Sequence, residues 1–467
     1  MNLTIIGAGP GGYVAALKAS QLGAKTTVIE CDEVGGTCLN WGCIPTKAII
    51  ASIEVLHKAR RLEDYGIDFS GSVSPNISKI MARKEKIVST QIKGIKSLFK
   101  SWGINLIYGK ARLLSPNQVE IQKKDGSSEI IKTEKIIIAT GSKPAQLPIF
   151  PFDGQNVISC NEALHIKSIP KNLLIVGAGV IGSEFAFIFS ELGTQVTMFE
   201  LMPRAIPTED YEISDILQRE FKKRNIRLFT GIRLERAEKM PDGIHVYASD
   251  GREFVGDTLL VSIGRSFNTE GIGLKDAGVK LGQRGEIVVN EKMETNVPNI
   301  YAVGDITGGM LLAHKASEEG IVAACNACGI NKTIDYSVVP AAIFTSPEIG
   351  AVGLRQHQAE EMGIQFKTGH FQFRALGKAH AMGEIAGIFK IIADAETDKI
   401  LGVHIIGPHA SDLIHEGALA MKGGITVMEL VDMIHAHPTL SEGLREAAED
   451  LHGIAIHAPQ KIGLSPN

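Results

Sequence analysis

The chain lacks the features of several protein classes. It has no apolar run near 20 residues, so no segment reads as a membrane span. Its start runs straight into a strand-like stretch, Leu3-Thr4-Ile5-Ile6, with no basic leader and no Arg-rich transit segment. There is no excess of positive charge: the formal net charge is −4, so nothing suggests a polyanion-binding surface, and nucleic acid is an unexpected partner. Six cysteines in 467 residues are too few for a disulfide framework. That count suits a reducing compartment, where a disulfide is more often catalytic than structural. The expectation is a cytoplasmic protein with no membrane attachment.

What is present is glycine, 50 residues of it, and an internal repeat. Leu3-Thr4-Ile5-Ile6 leads into Gly7-Ala8-Gly9-Pro10-Gly11-Gly12, and Leu173-Leu174-Ile175-Val176 leads into Gly177-Ala178-Gly179-Val180-Ile181-Gly182. Each G-x-G-x-x-G opens a helix-compatible stretch that stops at Gly23 or Gly193, 16 residues past the first glycine. Each then enters a strand ending in Glu30 or Glu200, 23 residues past that glycine. Strand, glycine turn, helix and acid in this order identify a dinucleotide-binding βαβ unit. The first glycine makes the turn, the second admits a pyrophosphate, and the third lets helix pack on strand. The helix N-terminus favours the diphosphate, and the acid reaches ribose hydroxyls. The chain therefore carries two dinucleotide sites, and its length predicts two to four domains.

Just past the first unit stand Gly35-Gly36-Thr37-Cys38-Leu39-Asn40-Trp41-Gly42-Cys43-Ile44-Pro45-Thr46-Lys47. In a straight helix, residues five apart have Cα atoms about 8.6 Å apart, whereas a disulfide needs roughly 4.4–6.8 Å. If Cys38 and Cys43 bond, the chain between them is not regular helix, and Gly42 and Pro45 supply the means to bend it. A dithiol beside a nucleotide site points to electron transfer between a cofactor and sulfur. Residues 48–100 read mainly as amphipathic helix with a solvated basic face, and 104–138 as strands closing in Ala139-Thr140-Gly141-Ser142. The analogue of that run is Val261-Ser262-Ile263-Gly264-Arg265. Strands return near Tyr301-Ala302-Val303-Gly304-Asp305, and from about 340 short strands precede helices. Cys325 and Cys328 lack a second Cys or His pair at metal spacing and read as a helix end before Gly329, so no metal site is expected. Cys31 and Cys160 read as core or surface thiols.

Taken together, these motifs resemble the pyridine nucleotide–disulfide oxidoreductase family through essentially the whole chain. The resemblance rests on Gly36-Thr37-Cys38 through Cys43-Ile44-Pro45-Thr46-Lys47, both glycine motifs, Ala139-Thr140-Gly141, Gly304-Asp305 and His435-Ala436-His437-Pro438-Thr439-Leu440-Ser441-Glu442. It implies an α/β fold with two Rossmann-like domains, a central domain and an α+β dimerisation domain. The boundaries drawn are 1–147 for FAD, 148–269 for NAD, 270–338 completing the FAD site and 339–467 for dimerisation. By the same resemblance Gly7, Gly9, Gly12, Glu30, Gly36, Thr37, Ala139, Thr140, Gly141, Asp305 and Ala313 hold FAD. Lys47 lies near the flavin ring with Glu184 as its partner. Gly177, Gly179, Gly182, Glu200 and Gly264 hold NAD. Cys43 is the sulfur nearer the flavin and Cys38 the one that exchanges with substrate. His437, oriented by Glu442, is the base, supplied by the other subunit of a homodimer. His435 lacks that context and reads as structural.

A carboxylate at Glu200 disfavours a 2′-phosphate, and only Arg204 follows closely, so NAD is expected over NADP. The first helix, Tyr13-Val14-Ala15-Ala16-Leu17-Lys18-Ala19-Ser20, is mostly apolar and suits a hydrocarbon-armed substrate rather than a charged peptide. The stretch Gly463-Leu464-Ser465-Pro466-Asn467 has no cysteine pair of the kind a mercuric reductase carries. Trp41 stands where many relatives have a small aliphatic residue. The implied reaction is oxidation of protein-bound dihydrolipoamide by NAD+. The implied partners are lipoyl-bearing acyltransferase subunits of 2-oxo acid dehydrogenase complexes, or the glycine cleavage carrier. The alternatives are an NAD(P)H-dependent reductase of another small disulfide, and a docking flavoprotein without turnover.

Overall fold

The computed structural model describes residues 1–459. The C-terminal run Gly463–Asn467 lies outside the described residues. Two five-stranded parallel sheets form the nucleotide-binding halves. In the first, the order is 300–302, 135–138, 2–6, 25–30 and 105–108. In the second it is 157–158, 258–261, 172–176, 195–200 and 227–230. Leu3, Ile5, Leu173 and Ile175 are at most 1% exposed, as expected for central strands covered on both faces.

The repeat extends past the βαβ core. A three-stranded antiparallel meander follows the third strand in each half, at 110–132 and at 234–256. The fifth strand breaks the symmetry. In the first half it arrives from residues 300–302, after the chain has built the second half; in the second half it arrives from 157–158, before it. The chain enters and leaves the second half along two strands paired antiparallel, Ser142–Pro144 and Arg265–Phe267.

The chain between 48 and 100 is not one helix. Helix α3 (Cys43–Ala59) and helix α4 (Ile77–Ser101) are separated by an irregular stretch holding a short 3₁₀ turn at Leu62–Tyr65. Nor is its basic face wholly solvated: Lys84 is 1% exposed, its Nζ bonded to Glu85. The C-terminal part is a five-stranded antiparallel sheet, 341–343, 348–353, 400–407, 388–394 and 366–372 in order, backed by helices at 410–423, 427–431 and 442–451.

A buried ionic junction joins this sheet to the second half. Lys390, 1% exposed, donates to Asp210 Oδ1 at 2.9 Å, Glu212 Oε1 at 2.7 Å and Gln356 Oε1 at 2.7 Å, which uses all three ammonium protons. Asp210 also caps the helix at 211–223 by accepting from the Glu212 N–H. His404 lies beside this junction, fully buried, and Nε2 meets the Leu354 carbonyl at 2.8 Å. Burial lowers His404 from 6.5 to about 4. The unfolded chain therefore takes up this proton first, and stability falls as pH drops from 6.5 toward 4. Glu212, hydrogen-bonded by His370 and held near 2, adds a further loss as pH falls below 4.5. His404→Gln keeps a donor for Leu354 and should flatten only the upper part of the slope. Urea midpoints against pH measure this, and an unchanged slope would assign it to other groups.

Candidate active site

The two glycine loops are built alike. A Cβ on Gly7 would lie 2.3 Å from the Ala139 carbonyl oxygen, and one on Gly177 would lie 2.5 Å from that of Ser262. A Cβ on Gly12 or Gly182 would strike its own loop's Gly7 or Gly177 oxygen at 1.9 or 2.0 Å. The first and third glycines are thus required by the protein itself. The second differs: a Cβ on Gly179 would meet nothing within 4 Å, and one on Gly9 only Gly36 Cα at 3.7 Å. Helix α1 (Pro10–Gln21) and the helix at Val180–Glu191 begin without any side-chain cap. Such ends offer N–H groups to an anion. Both features fit a bound diphosphate.

Glu30 and Glu200 are also matched. Each is buried, with one oxygen accepting from the loop, Ala8 or Ala178 N–H at 2.7 Å, and the other from Asp32 or Met202 N–H at 2.8 Å. Each carboxylate is fixed by two backbone donors and keeps lone pairs for a hydroxyl. Arg204 does not reach across to Glu200's oxygens. Its guanidinium stacks 3.3 Å over the Tyr211 ring, which in turn stacks on His357.

The dithiol follows a break in helix. Helix α2 (Gly36–Asn40) ends at Trp41, Gly42 turns the chain with ψ −111°, and α3 restarts at Cys43. The break sets Cys38 and Cys43 on neighbouring helix ends. Interaction with Cys38, with Lys47 assisting, holds the Cys43 thiol below the usual thiol range, and Cys38 is raised in turn. No comparable help reaches Cys31, Cys160 or Cys328, whose thiols are pushed up chiefly by burial. Of the cysteines whose acidity is perturbed, Cys43 alone is moved toward thiolate, the reactive form.

Lys47 lies one turn further along α3. Its Nζ meets both oxygens of Glu184 at 2.8 and 2.9 Å and stands 4.3 Å over the Phe344 ring. Glu184 comes from the helix of the second half, and the Phe344 N–H donates to it at 3.0 Å. One ion pair therefore ties the dithiol helix to the second nucleotide unit and to the C-terminal sheet. Tyr13 on α1 is half-buried, and burial raises its hydroxyl.

Asp305 sits on the turn Gly304–Thr307 and accepts from Ser142 Oγ. Ala313 begins the helix Ala313–Ala327 beyond that turn. Thr140 is held by Asn268 through two hydrogen bonds of 2.9 and 3.0 Å. Arg265 joins these parts: Nε donates to Ser142 Oγ at 2.6 Å, Nη2 to the Ser142 carbonyl at 2.8 Å and to Thr37 Oγ1 at 3.4 Å. Arg265 went unassigned in the sequence, although it lies next to Gly264 in the second copy at the place Ser142 holds in the first. Lys315, Glu319 and Tyr336 were also missed, because nothing in their spacing marks them. Trp41 packs its ring 5.3 Å from His165, beside a 340 Å³ groove along α4.

His437 lies apart from the dithiol in sequence, after a loop in the C-terminal sheet's helical layer. Its Nδ1 meets Glu442 Oε1 at 2.8 Å, and Glu442 Oε2 accepts the Thr439 N–H at 2.8 Å. Its side chain is 76% exposed, and neighbouring Ile434 is 91% exposed. His435 is different: its side chain is 3% exposed and Nε2 bonds Glu416 at 2.7 Å. Among the described residues no group of three or more His, Cys, Asp or Glu is placed to hold a metal. No described helix is long and apolar enough to cross a membrane.

Residues 1–320 match the model of the pyridine nucleotide-disulphide oxidoreductases, and 339–448 match that family's dimerisation domain. The chain belongs to this family. It is 43% identical to a dihydrolipoyl dehydrogenase of Thermus scotoductus over 98% of both chains. It is 42% identical to one of Bacillus subtilis over 98% of this chain and 99% of that one. The crystal structure of LpdA from Mycobacterium tuberculosis superposes with a TM-score of 0.90 at 31% identity, covering 96% of this chain and 99% of that one.

Alkylation of reduced Cys43 should rise with pH through a midpoint below that of an ordinary thiol, because the thiolate accumulates above it. Cys38→Ala removes that neighbour and should move the midpoint upward. An unmoved midpoint would show that Cys38 does not stabilise the thiolate.

Proposed function

We propose that the protein oxidises protein-bound dihydrolipoamide to lipoamide with reduction of NAD+, through FAD and the Cys38–Cys43 pair. The observation that carries this is the placement of Cys38 and Cys43 on either side of a helix break that starts against the first glycine loop, with Lys47–Glu184 joining them to a second nucleotide cradle. The cradle with Gly7, Gly9, Gly12, Glu30 and Asp305 takes FAD; that with Gly177, Gly179, Gly182 and Glu200 takes NAD. The 1–147, 148–269, 270–338 and 339–467 divisions serve as FAD, NAD, central and dimerisation domains. When bound, the flavin passes the electron pair between the dithiol and NAD+.

The protein's own residues handle sulfur and protons. A substrate thiolate attacks Cys38 Sγ in the oxidised pair, and Cys43 leaves as the thiolate. The second substrate sulfur then attacks the mixed disulfide, closing the lipoamide ring and freeing Cys38. The substrate gives up two electrons and two protons; NADH and one proton are the further products. His437 of the partner subunit accepts the thiol proton, with Glu442 fixing the ring through Nδ1. Its exposure, next to the exposed Ile434, suits a face that a second subunit covers, and the matched dimerisation domain supports a homodimer. The apolar outer face of α1, with Tyr13 and Leu17, suits a hydrocarbon arm. Lipoyl-bearing acyltransferase subunits are the fitting partners, and the low cysteine count suits a cytoplasmic setting.

Steady-state assays separate this reading from its rivals. NAD+ reduction with dihydrolipoamide should be fast, and NADPH oxidation with glutathione disulfide slow. The reverse would make the protein a thiol reductase, and bound flavin with neither activity would make it a docking flavoprotein. His437→Gln should lower the first rate by about 10²–10⁴. An unimpaired variant would remove His437 from the reaction.

A further inference from the structure

Behind Asp305 lies a buried charged network that the reaction does not use. Glu319 is fully buried and accepts two hydrogen bonds, from the Gly304 N–H at 2.7 Å and from the Tyr336 hydroxyl, and it forms an ion pair with Lys315 Nζ at 2.8 Å. Lys315, 6% exposed, donates onward to the Gly308 carbonyl at 3.0 Å and to Thr307 Oγ1 at 3.5 Å. The ammonium is surrounded by Glu319, Thr307 and the Gly308 carbonyl, and the carboxylate has two hydrogen-bond donors besides its ion pair. A buried pair satisfied in this way is held tightly, because removing one member strands a charge.

The network grips the two ends of one turn. Gly304 opens it with φ +81°, and Gly308 closes it with φ +74°. Glu319 holds the backbone of the first and Lys315 that of the second, while Asp305 projects between them toward Ser142 and Arg265. Both charged residues stand on one helix, 313–327. That helix packs face to face on α1: a Cβ on Gly320 would lie 2.3 Å from the Gly11 carbonyl oxygen. One helix therefore fixes Asp305 and the N-terminal turn of α1 relative to each other.

We propose that Lys315, Glu319 and Tyr336 are positioning residues for the flavin dinucleotide, setting Asp305 at the distance from the α1 terminus that the dinucleotide's linking chain requires. This rests on the FAD reading of the first cradle. Tyr336 is the gentlest place to test it, because the residue is 41% exposed and Tyr336→Phe removes the hydroxyl while keeping the ring that Lys315 Nζ faces at 5.8 Å.

The experiment follows FAD release from the diluted holoenzyme by flavin fluorescence, in wild type, Tyr336→Phe, Asp305→Asn and the double variant. Glu319→Gln serves as a second probe. Tyr336→Phe should speed release about tenfold, the worth of one hydrogen bond to a charged group. In the Asp305→Asn background it should add less than about twofold, because the two act as one unit. Effects that multiply in the double variant would overturn the inference. So would unchanged release with a lowered melting temperature in both Tyr336→Phe and Glu319→Gln, which marks a purely structural network. A wild type that holds no FAD would instead overturn the cofactor reading itself.

Discussion

The site depends on a contact between two pieces of backbone. A Cβ on Gly36 would lie 2.6 Å from the Gly9 Cα, so helix α2 starts directly against the first glycine loop. No side chain fits between them. Whatever occupies the loop is therefore next to Cys38, two residues along, and to Cys43 across the break. The gap between α2 and α3 then does the chemical part. It replaces the regular helical course, about 8.6 Å between residues five apart, with a turn at Gly42. Cys38 and Lys47 together hold the Cys43 thiol low.

The remaining architecture holds this junction from outside. Strands 142–144 and 265–267 carry equivalent positions of the two repeats and pair with each other, so Ser142 and Arg265 meet next to Thr37. Lys47–Glu184 adds a link from the dithiol helix to the second half. Lys390 with Asp210 and Glu212 adds one from the second half to the C-terminal sheet. In each link a buried charge has its hydrogen-bond partners, the condition under which such pairs hold parts in register rather than weaken them.

The sequence made the repeat legible because glycines leave a fixed imprint. Gly7 and Gly12, like Gly177 and Gly182, are forced by backbone oxygens, and their spacing is the geometry itself. The ends at Gly23 and Gly193 and the acids Glu30 and Glu200 follow from the same unit. The departure from helix between Cys38 and Cys43 is legible from the distance a disulfide would require together with Gly42 and Pro45. Contacts between distant segments were not. Arg265 reaches Thr37 across 228 positions. Glu319 grips a turn 15 residues before it, which no periodicity records. Lys84 reads as a surface residue in a basic helix, yet α4 turns it inward. The four-part division and the roles of individual site residues are what the resemblance implies.

The central claim is that Cys43, not Cys38, presents its thiolate to the flavin. The direct measurement is the long-wavelength charge-transfer absorbance of the two-electron-reduced enzyme in Cys38→Ser and Cys43→Ser. The account predicts that the band persists in the first variant and vanishes in the second. A band that survives in Cys43→Ser and is lost in Cys38→Ser would contradict it.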